Sequence, residues 1–206
     1  MTASHNVVIA LFEDVELLDF CGPYEVFSVA SRWADAPIFN VVTVSEQPGP
    51  VRTSNGLSVN PHYHLAECVR PDLLLVPGGK GARREMDNPV LIDWIRQHAC
   101  EAEVVMSVCT GALLLAKAGL LDGLEATTHH GAIELLRQCA PHTAIHEDRR
   151  IVDNGRIICS AGIAAGIDMS LHVVAKLLGY EIAMKTARQM DYAYDQGGCK
   201  AGELAV

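Results

Sequence analysis

Glu103–Leu121 reads EVVMSVCTGALLLAKAGLL. Val104–Val108 is apolar and β-branched, the composition of a strand buried on both faces. Cys109-Thr110-Gly111 breaks that pattern, and Ala112–Lys117 then strings strong helix formers together, with Gly119 near the end. Strand, sharp turn and helix, with a nucleophile at the turn, is how an α/β sheet presents a reactive side chain at its mouth. A cysteine there meets the unpaired N–H groups and positive dipole end of the next helix, which favour the thiolate. Cysteine is also a common small core residue. This segment alone therefore leaves two readings of Cys109, reactive thiol and core packing.

The flanking sequence repeats the strand–helix alternation. Asn6–Phe12 is a continuous apolar run, and Phe39–Val44 and Asp72–Val76 read as further strands. Helices are predicted over Tyr24–Arg32, opened by Gly22-Pro23, and over Val90–Ala99, opened by Asn88-Pro89. Further helices are expected over Ala132–Cys139, Ala161–Leu178 and Glu181–Met190, with Gly179 as a cap. Asn55-Gly56 and Asn154-Gly155 mark hairpins within Val51–Asn60 and Arg150–Cys159. Ala126–His130 reads as a short strand or the end of one. The Gly-rich Asp195–Val206 is expected to fray. This pattern predicts an α/β fold with a mostly parallel central sheet and helices on both faces. Ligands of such sheets bind beyond the carboxyl ends of the strands. Three loops should meet there, carrying Asp19, Gly78-Gly79 and Cys109.

The chain has 206 residues, half of them hydrophobic. That suits one domain over residues 1–206, with a core at about 6–192. No apolar run reaches the roughly 18 residues of a membrane span. The first residues lack the basic region of a signal peptide, so the cytoplasm is the expected location. Seven cysteines, odd in number and without a CxxC pair, argue for reduced thiols. A net charge of −9 lacks the basic footprint of a nucleic-acid binder.

Five motifs follow in order: VELLDFCGPYEVF at Val15–Phe27, PGGKG at Pro77–Gly81, SVCTG at Ser107–Gly111, ATTH at Ala126–His129 and AGIAAGID at Ala161–Asp168. Together they resemble the ThiJ/PfpI superfamily over about residues 6–192. The resemblance implies a flavodoxin-like, glutamine amidotransferase-like three-layer sandwich with a nucleophile elbow. Within the superfamily the chain is most similar to isonitrile hydratases, and it also resembles the N-terminal domain of AraC-type transcription regulators. The family's reactive cysteine falls on Cys109 and its acidic partner on Asp19. By itself, Asp19 could equally be a turn or cap residue before the helix.

Thr110 stands where peptidase-like members carry histidine, so a Cys-His pair is missing and proteolysis is not expected. By the same resemblance, its hydroxyl would orient a substrate. Gly78 and Gly79 would bring bare backbone to the site, and the N–H groups of Gly79 and Thr110 could form an oxyanion-hole-like pair. PGGKG lacks the spacing of a P-loop. His129 aligns with a histidine near the cysteine in several branches, and it could also be a satisfied core or interface residue. His130 replaces a common tryptophan. Asp168 is read as stabilising a helix N-terminus. Cys21 is read as structural, though close enough to the site to matter. His62, His64, His142 and His146 are read as surface residues, and no metal site or cofactor is expected.

The resemblance thus implies an isonitrile hydratase-like lyase acting on a small molecule, working as a homodimer. Two alternatives are a non-catalytic ligand or oxidant sensor, and a glyoxalase- or amidase-like enzyme acting on small carbonyl compounds.

Overall fold

The computed structural model describes residues 4–33 and 38–194. The expected fraying of residues 195–206 lies outside them. The strands are β1 (His5–Leu11), β2 (Phe39–Ser45), β3 (Val51–Arg52), β4 (Ser58–Val59), β5 (Tyr63–His64), β6 (Leu73–Val76), β7 (Val104–Val108), β8 (Glu125–Ala126), β9 (Ala144–Ile145), β10 (Ile151–Asp153) and β11 (Ile157–Ser160). The helices are α1 (Leu17–Ala30), α2 (Ala82–Glu85), α3 (Pro89–Glu101), α4 (Gly111–Lys117), α5 (Ile133–Cys139), α6 (Ala165–Leu178) and α7 (Tyr180–Gln189).

Seven strands form the central sheet in the order β10-β11-β7-β6-β1-β2-β5. Every neighbouring pair is parallel except β10 with β11, which the Asn154-Gly155 turn joins as a hairpin. The middle strands β7 and β6 are buried along their whole length, which is why both read as unbroken apolar runs. α1, α6 and α7 pack on one another, while α4 packs on α2, α3 and α5. These two groups cover the sheet as the outer layers of a three-layer sandwich. No helix among the described residues is long and apolar enough to cross a membrane.

Three differences from the sequence expectation bear on the site. α1 begins at Leu17, not Tyr24, so Asp19 lies in its first turn and Gly22-Pro23 lie inside it. Here the Gly-Pro pair serves a helix crossing. A Cβ on Gly22 would stand 2.8 Å from Ile167 Cγ1, and one on Gly166 would stand 3.5 Å from Pro23 Cγ. α6 begins at Ala165, because Ile163 takes a left-handed φ of 50° and interrupts Ala161–Ala164. β5, β8 and β9 have only two residues each, too short to carry a period. The start of α3 is as expected: the Asn88 side chain accepts from the N–H groups of Val90 and Leu91, with Pro89 at the first position.

Gly111 lets β7 turn into α4 against β6, since a Cβ there would lie 2.1 Å from the Val76 carbonyl oxygen. Gly119 has φ 72° with nothing within 4 Å of its Cβ position. Gly111→Ala is therefore expected to lower unfolding stability by more than ~2 kcal/mol, and Gly119→Ala by about 1 kcal/mol from backbone strain alone. Urea unfolding of both variants checks this ordering.

Candidate active site

Cys109 sits at the carboxyl end of β7 with φ 56°, a conformation that costs a non-glycine residue roughly 1–2 kcal/mol. The surroundings hold it there. Its N–H donates to the carbonyls of Ser160 (3.2 Å) and Ala161 (3.1 Å), and its own carbonyl accepts from Thr128 Oγ1 at 2.7 Å. These partners lie 19 to 52 residues further along the chain, so the elbow is fixed by neighbours distant in sequence.

The loop after β6 closes over the elbow. Gly79 N–H donates to Thr110 Oγ1 at 2.9 Å, and that hydroxyl donates back to the Gly79 carbonyl at 3.1 Å. Gly78 N–H donates to Asp19 Oδ2 at 3.0 Å. A Cβ on Gly78 would lie 2.5 Å from both Thr110 N and Oγ1 and 2.9 Å from Asp19 Oδ2, so only glycine fits between the acid and the elbow. Glu16 N–H donates to the Gly78 carbonyl at 2.9 Å, which ties the start of α1 to the same loop. The structure thus brings Asp19, Gly78, Gly79, Cys109 and Thr110 together.

Asp19 is fully buried, and its Oδ1 has no conventional hydrogen-bond partner. Burial pushes its pKa up to about 7, against the Gly78 N–H, with the Glu16 charge adding to the rise and the Cys109 thiol opposing it. Cys109 is 6% exposed. Burial first, and the Asp19 charge next, push its thiol up to about 12, while the N–H groups of Thr110 and Ile163 pull the other way. The expectation of a thiolate stabilised by the helix end is therefore corrected. α4 has seven residues, and its terminus does not offset desolvation and a neighbouring carboxylate. The two groups titrate as a pair: between about 7 and about 12 they hold one proton between them.

Other expected roles are redistributed. The Gly79 N–H is committed to Thr110 Oγ1, so it does not stand open beside the Thr110 N–H as an oxyanion donor. The donors turned to the sulfur are instead the N–H groups of Thr110 and Ile163. The Thr110 hydroxyl is occupied at both ends by Gly79, so it clamps the loop to the elbow. His129 is half-buried. Its Nδ1 accepts from Gly131 N–H at 3.1 Å, and its ring lies so close to Gly162 that a Cβ there would meet it at 2.3 Å. Burial, then His130 and Arg83, lower its pKa. Among the described residues no hydrogen bond joins it to Cys109 or Asp19.

Asp168 lies in the first turn of α6, as expected, and also pairs laterally: Oδ2 accepts from Arg150 Nε at 2.6 Å and Oδ1 from the Tyr192 hydroxyl at 3.1 Å. Cys21 lies about 200° round α1 from Asp19, half-buried, with its pKa raised by burial. His62 and His64 are exposed, as expected. Ile163, Glu16 and Thr128 are site residues missed by side-chain chemistry. Each lies in one of the five motifs, and two of the three act through backbone or charge. A cleft of about 350 Å³ bounded by Glu13, Glu46, Arg84 and Glu85 is separate, with none of Asp19, Cys109 and Thr110 in its wall.

The DJ-1/PfpI family model matches residues 5–176. The isonitrile hydratase of Pseudomonas putida is 36% identical over 200 residues, which cover 95% of this chain and 84% of that enzyme. The HTH-type transcriptional regulator CdhR of Pseudomonas aeruginosa is 32% identical over 90% of this chain, which spans 54% of the regulator. Among solved structures, a THiJ/PfpI family protein from Pseudomonas syringae superposes with a TM-score of 0.84 at 25% identity, covering 98% of this chain and 80% of that one. Drosophila melanogaster DJ-1beta, at 20% identity and TM-score 0.82, covers 93% of this chain and 100% of its own, and shows the shared fold.

The buried carboxyl carries a signed consequence for stability. Asp19 has a folded pKa of about 7, above its ordinary 3.8, so the folded state binds more protons than the unfolded state between those values. Stability from this group is full below about pH 4 and falls by up to ~4 kcal/mol as the pH rises through about 7. Asp19→Asn is expected to remove that fall, which urea unfolding at pH 5 and pH 8 measures. The same variant should lower the Cys109 pKa, because the Asp19 charge is one cause of its elevation. The pH dependence of Cys109 alkylation, followed by mass spectrometry, reads that shift, and an unchanged profile would separate the two groups.

Proposed function

The chain belongs to the DJ-1/PfpI family, and from that premise we propose that it is an isonitrile hydratase, adding water to R–N≡C to give the formamide R–NH–CHO. The observation that carries this reading is the Asp19–Cys109 pair: a fully buried acid with an unpartnered Oδ1 beside a buried thiol held on a strained turn. Similarity to the Pseudomonas putida enzyme supports it.

An isonitrile is uncharged and its terminal carbon accepts a nucleophile and a proton at the same atom. Asp19 takes the Cys109 proton as the S–C bond forms, then delivers it to that carbon, giving the thioimidate R–N=CH–S–Cys109. The substrate brings no charge of its own into the buried site, and the single negative charge of ionised Asp19 is carried through each step. Asp19 next removes a proton from water as its oxygen adds to the same carbon. Asp19 passes that proton to nitrogen, and as the C–S bond breaks the hydroxyl of the adduct gives its proton, through Asp19, to the departing sulfur, so the formamide leaves and the thiol returns. The Thr110 and Ile163 N–H groups hold the sulfur during both steps. The Thr110 hydroxyl orients substrate by keeping Gly78 and Gly79 in place. The scheme uses no metal or organic cofactor. A homodimer in the cytoplasm completes the reading, and native mass measurement checks the dimer.

The sensor reading is supported by the likeness to CdhR over 90% of this chain. Its oxidant version requires thiolate, which a thiol pushed up to about 12 supplies poorly. Peroxide treatment followed by mass spectrometry tests it, and methylglyoxal turnover tests the glyoxalase-like alternative.

Purified protein given cyclohexyl isocyanide is expected to release N-cyclohexylformamide. Cys109→Ala should abolish turnover, and Asp19→Asn should lower it about 10²–10⁴-fold. kcat/KM should rise with pH through about 7, where Asp19 loses its proton and can accept the thiol's. Turnover that survives Cys109→Ala contradicts the mechanism, and absent wild-type turnover contradicts the activity.

A further inference from the structure

Cys109 is held in its left-handed conformation from both sides, and both supports lead back to Arg149 and Arg150, in the loop between β9 and β10. On one side the Cys109 N–H donates to the Ala161 carbonyl at 3.1 Å, and the Ala161 N–H donates to the Arg150 carbonyl at 2.9 Å. On the other side the Cys109 carbonyl accepts from Thr128 Oγ1 at 2.7 Å, and the adjacent Thr127 Oγ1 donates to the Arg149 carbonyl at 3.0 Å. Thr127 and Thr128 are both buried, so solvent does not compete for these hydroxyls. Two successive carbonyls thus anchor both arms of the elbow.

Regular structure does not fix that pair. Arg149 and Arg150 lie outside any helix or strand, at the entry to β10, an edge strand that among the described residues pairs only with β11. Side chains supply the anchorage. Arg149 Nη1 meets Glu125 Oε2 at 2.5 Å, but the Glu125 side chain is 49% exposed and solvent screens the pair. Arg150 has the firmer anchor. Its Nε (2.6 Å) and Nη2 (2.5 Å) both reach Asp168 Oδ2, and Asp168 is 15% exposed. The other oxygen, Oδ1, accepts from the Tyr192 hydroxyl at 3.1 Å. Asp168 belongs to α6, which packs on α1 and α7, and the Tyr192 N–H is tied to the Ala187 carbonyl of α7 at 2.9 Å. The lock therefore runs from the loop into the helical layer.

We propose that Arg150 is a positioning residue for Cys109: its guanidinium, locked on Asp168 with Tyr192 behind it, holds the two carbonyls that keep the cysteine in its strained turn beside Asp19. The placement of the thiol does not depend on what the thiol attacks, whereas the effect on turnover rests on the hydratase reading. A planar guanidinium fixes direction by offering two nitrogens at once, and a lysine ammonium is a single mobile point charge. Without the lock the strained elbow relaxes, and the thiol leaves the dry contact with Asp19 that suppresses its ionisation.

The test measures the rate of Cys109 alkylation by iodoacetamide at about pH 8.5, read by peptide mass spectrometry, in wild type, Arg150→Met, Arg150→Lys and Tyr192→Phe. The fully buried Cys159 is the internal control for global unfolding. Arg150→Met should speed Cys109 alkylation about tenfold, the equivalent of one pH unit in the thiol's ionisation, with Cys159 unmoved. Arg150→Lys should recover part of the change. Tyr192→Phe, which removes one hydroxyl from Asp168, should give a smaller change of the same sign. With cyclohexyl isocyanide, Arg150→Met should lower kcat roughly tenfold and leave KM unchanged, as a displaced nucleophile does. A purely structural ion pair would lower the urea midpoint only. A Cys109 rate that stays put, or that rises only in step with Cys159, therefore overturns the proposal. If Arg150→Met does not fold, Tyr192→Phe decides by the same two rates. If wild type does not turn over isonitriles, a selective rise at Cys109 keeps the positioning role and removes the hydratase reading, while an unmoved rate removes both.

Discussion

Asp19 is buried with a single backbone donor, the Gly78 N–H, beside the Cys109 thiol. A carboxylate taken out of water with one hydrogen bond is poorly compensated, and the protein answers by keeping a proton at the site. The rest of the architecture serves that placement. α1 starts early so that Asp19 lies in its first turn, Gly22-Pro23 lets α1 cross closely against α6, and Gly78 leaves no side chain between acid and elbow. The strain at Cys109, with its φ of 56°, is held by Ser160, Ala161 and Thr128.

The fold was legible because its determinants are local. Apolar, β-branched stretches mark β1, β2, β6 and β7, Asn-Gly marks both hairpins, and Asn88-Pro89 marks the start of α3. The site was legible in part. Strand–turn–helix placed Cys109, and the order of motifs brought in Asp19, Gly78 and Gly79. What stayed hidden depends on tertiary packing. Gly22-Pro23 has the sequence of a helix start, yet the close crossing on Ile167 keeps the pair inside a helix. The Gly79 N–H, a free donor by sequence, is bonded to Thr110 Oγ1 in the fold. A helix N-terminus promised a thiolate, and burial with Asp19 reversed the sign. Ile163 contributes a backbone N–H, which no side-chain pattern encodes.

Nearest the sulfur, burial raises the pKa of both Asp19 and Cys109, and the Glu16 charge adds to the rise at Asp19. That environment suits a substrate whose reacting end is uncharged. It suits oxidant sensing less well, since the chemistry there begins from an exposed thiolate. Relatives such as CdhR show that the same fold accompanies regulators, so the proton-sharing pair distinguishes the readings better than the fold does.

The most direct measurement is infrared difference spectroscopy of the Asp19 carboxyl against pH, with Asp19→Asn as the blank. The account predicts a protonated-carboxyl band that persists well above the ordinary aspartate range and titrates near pH 7. A carboxylate already ionised at pH 5 would contradict it, because burial would then not have raised the Asp19 pKa above the ordinary range.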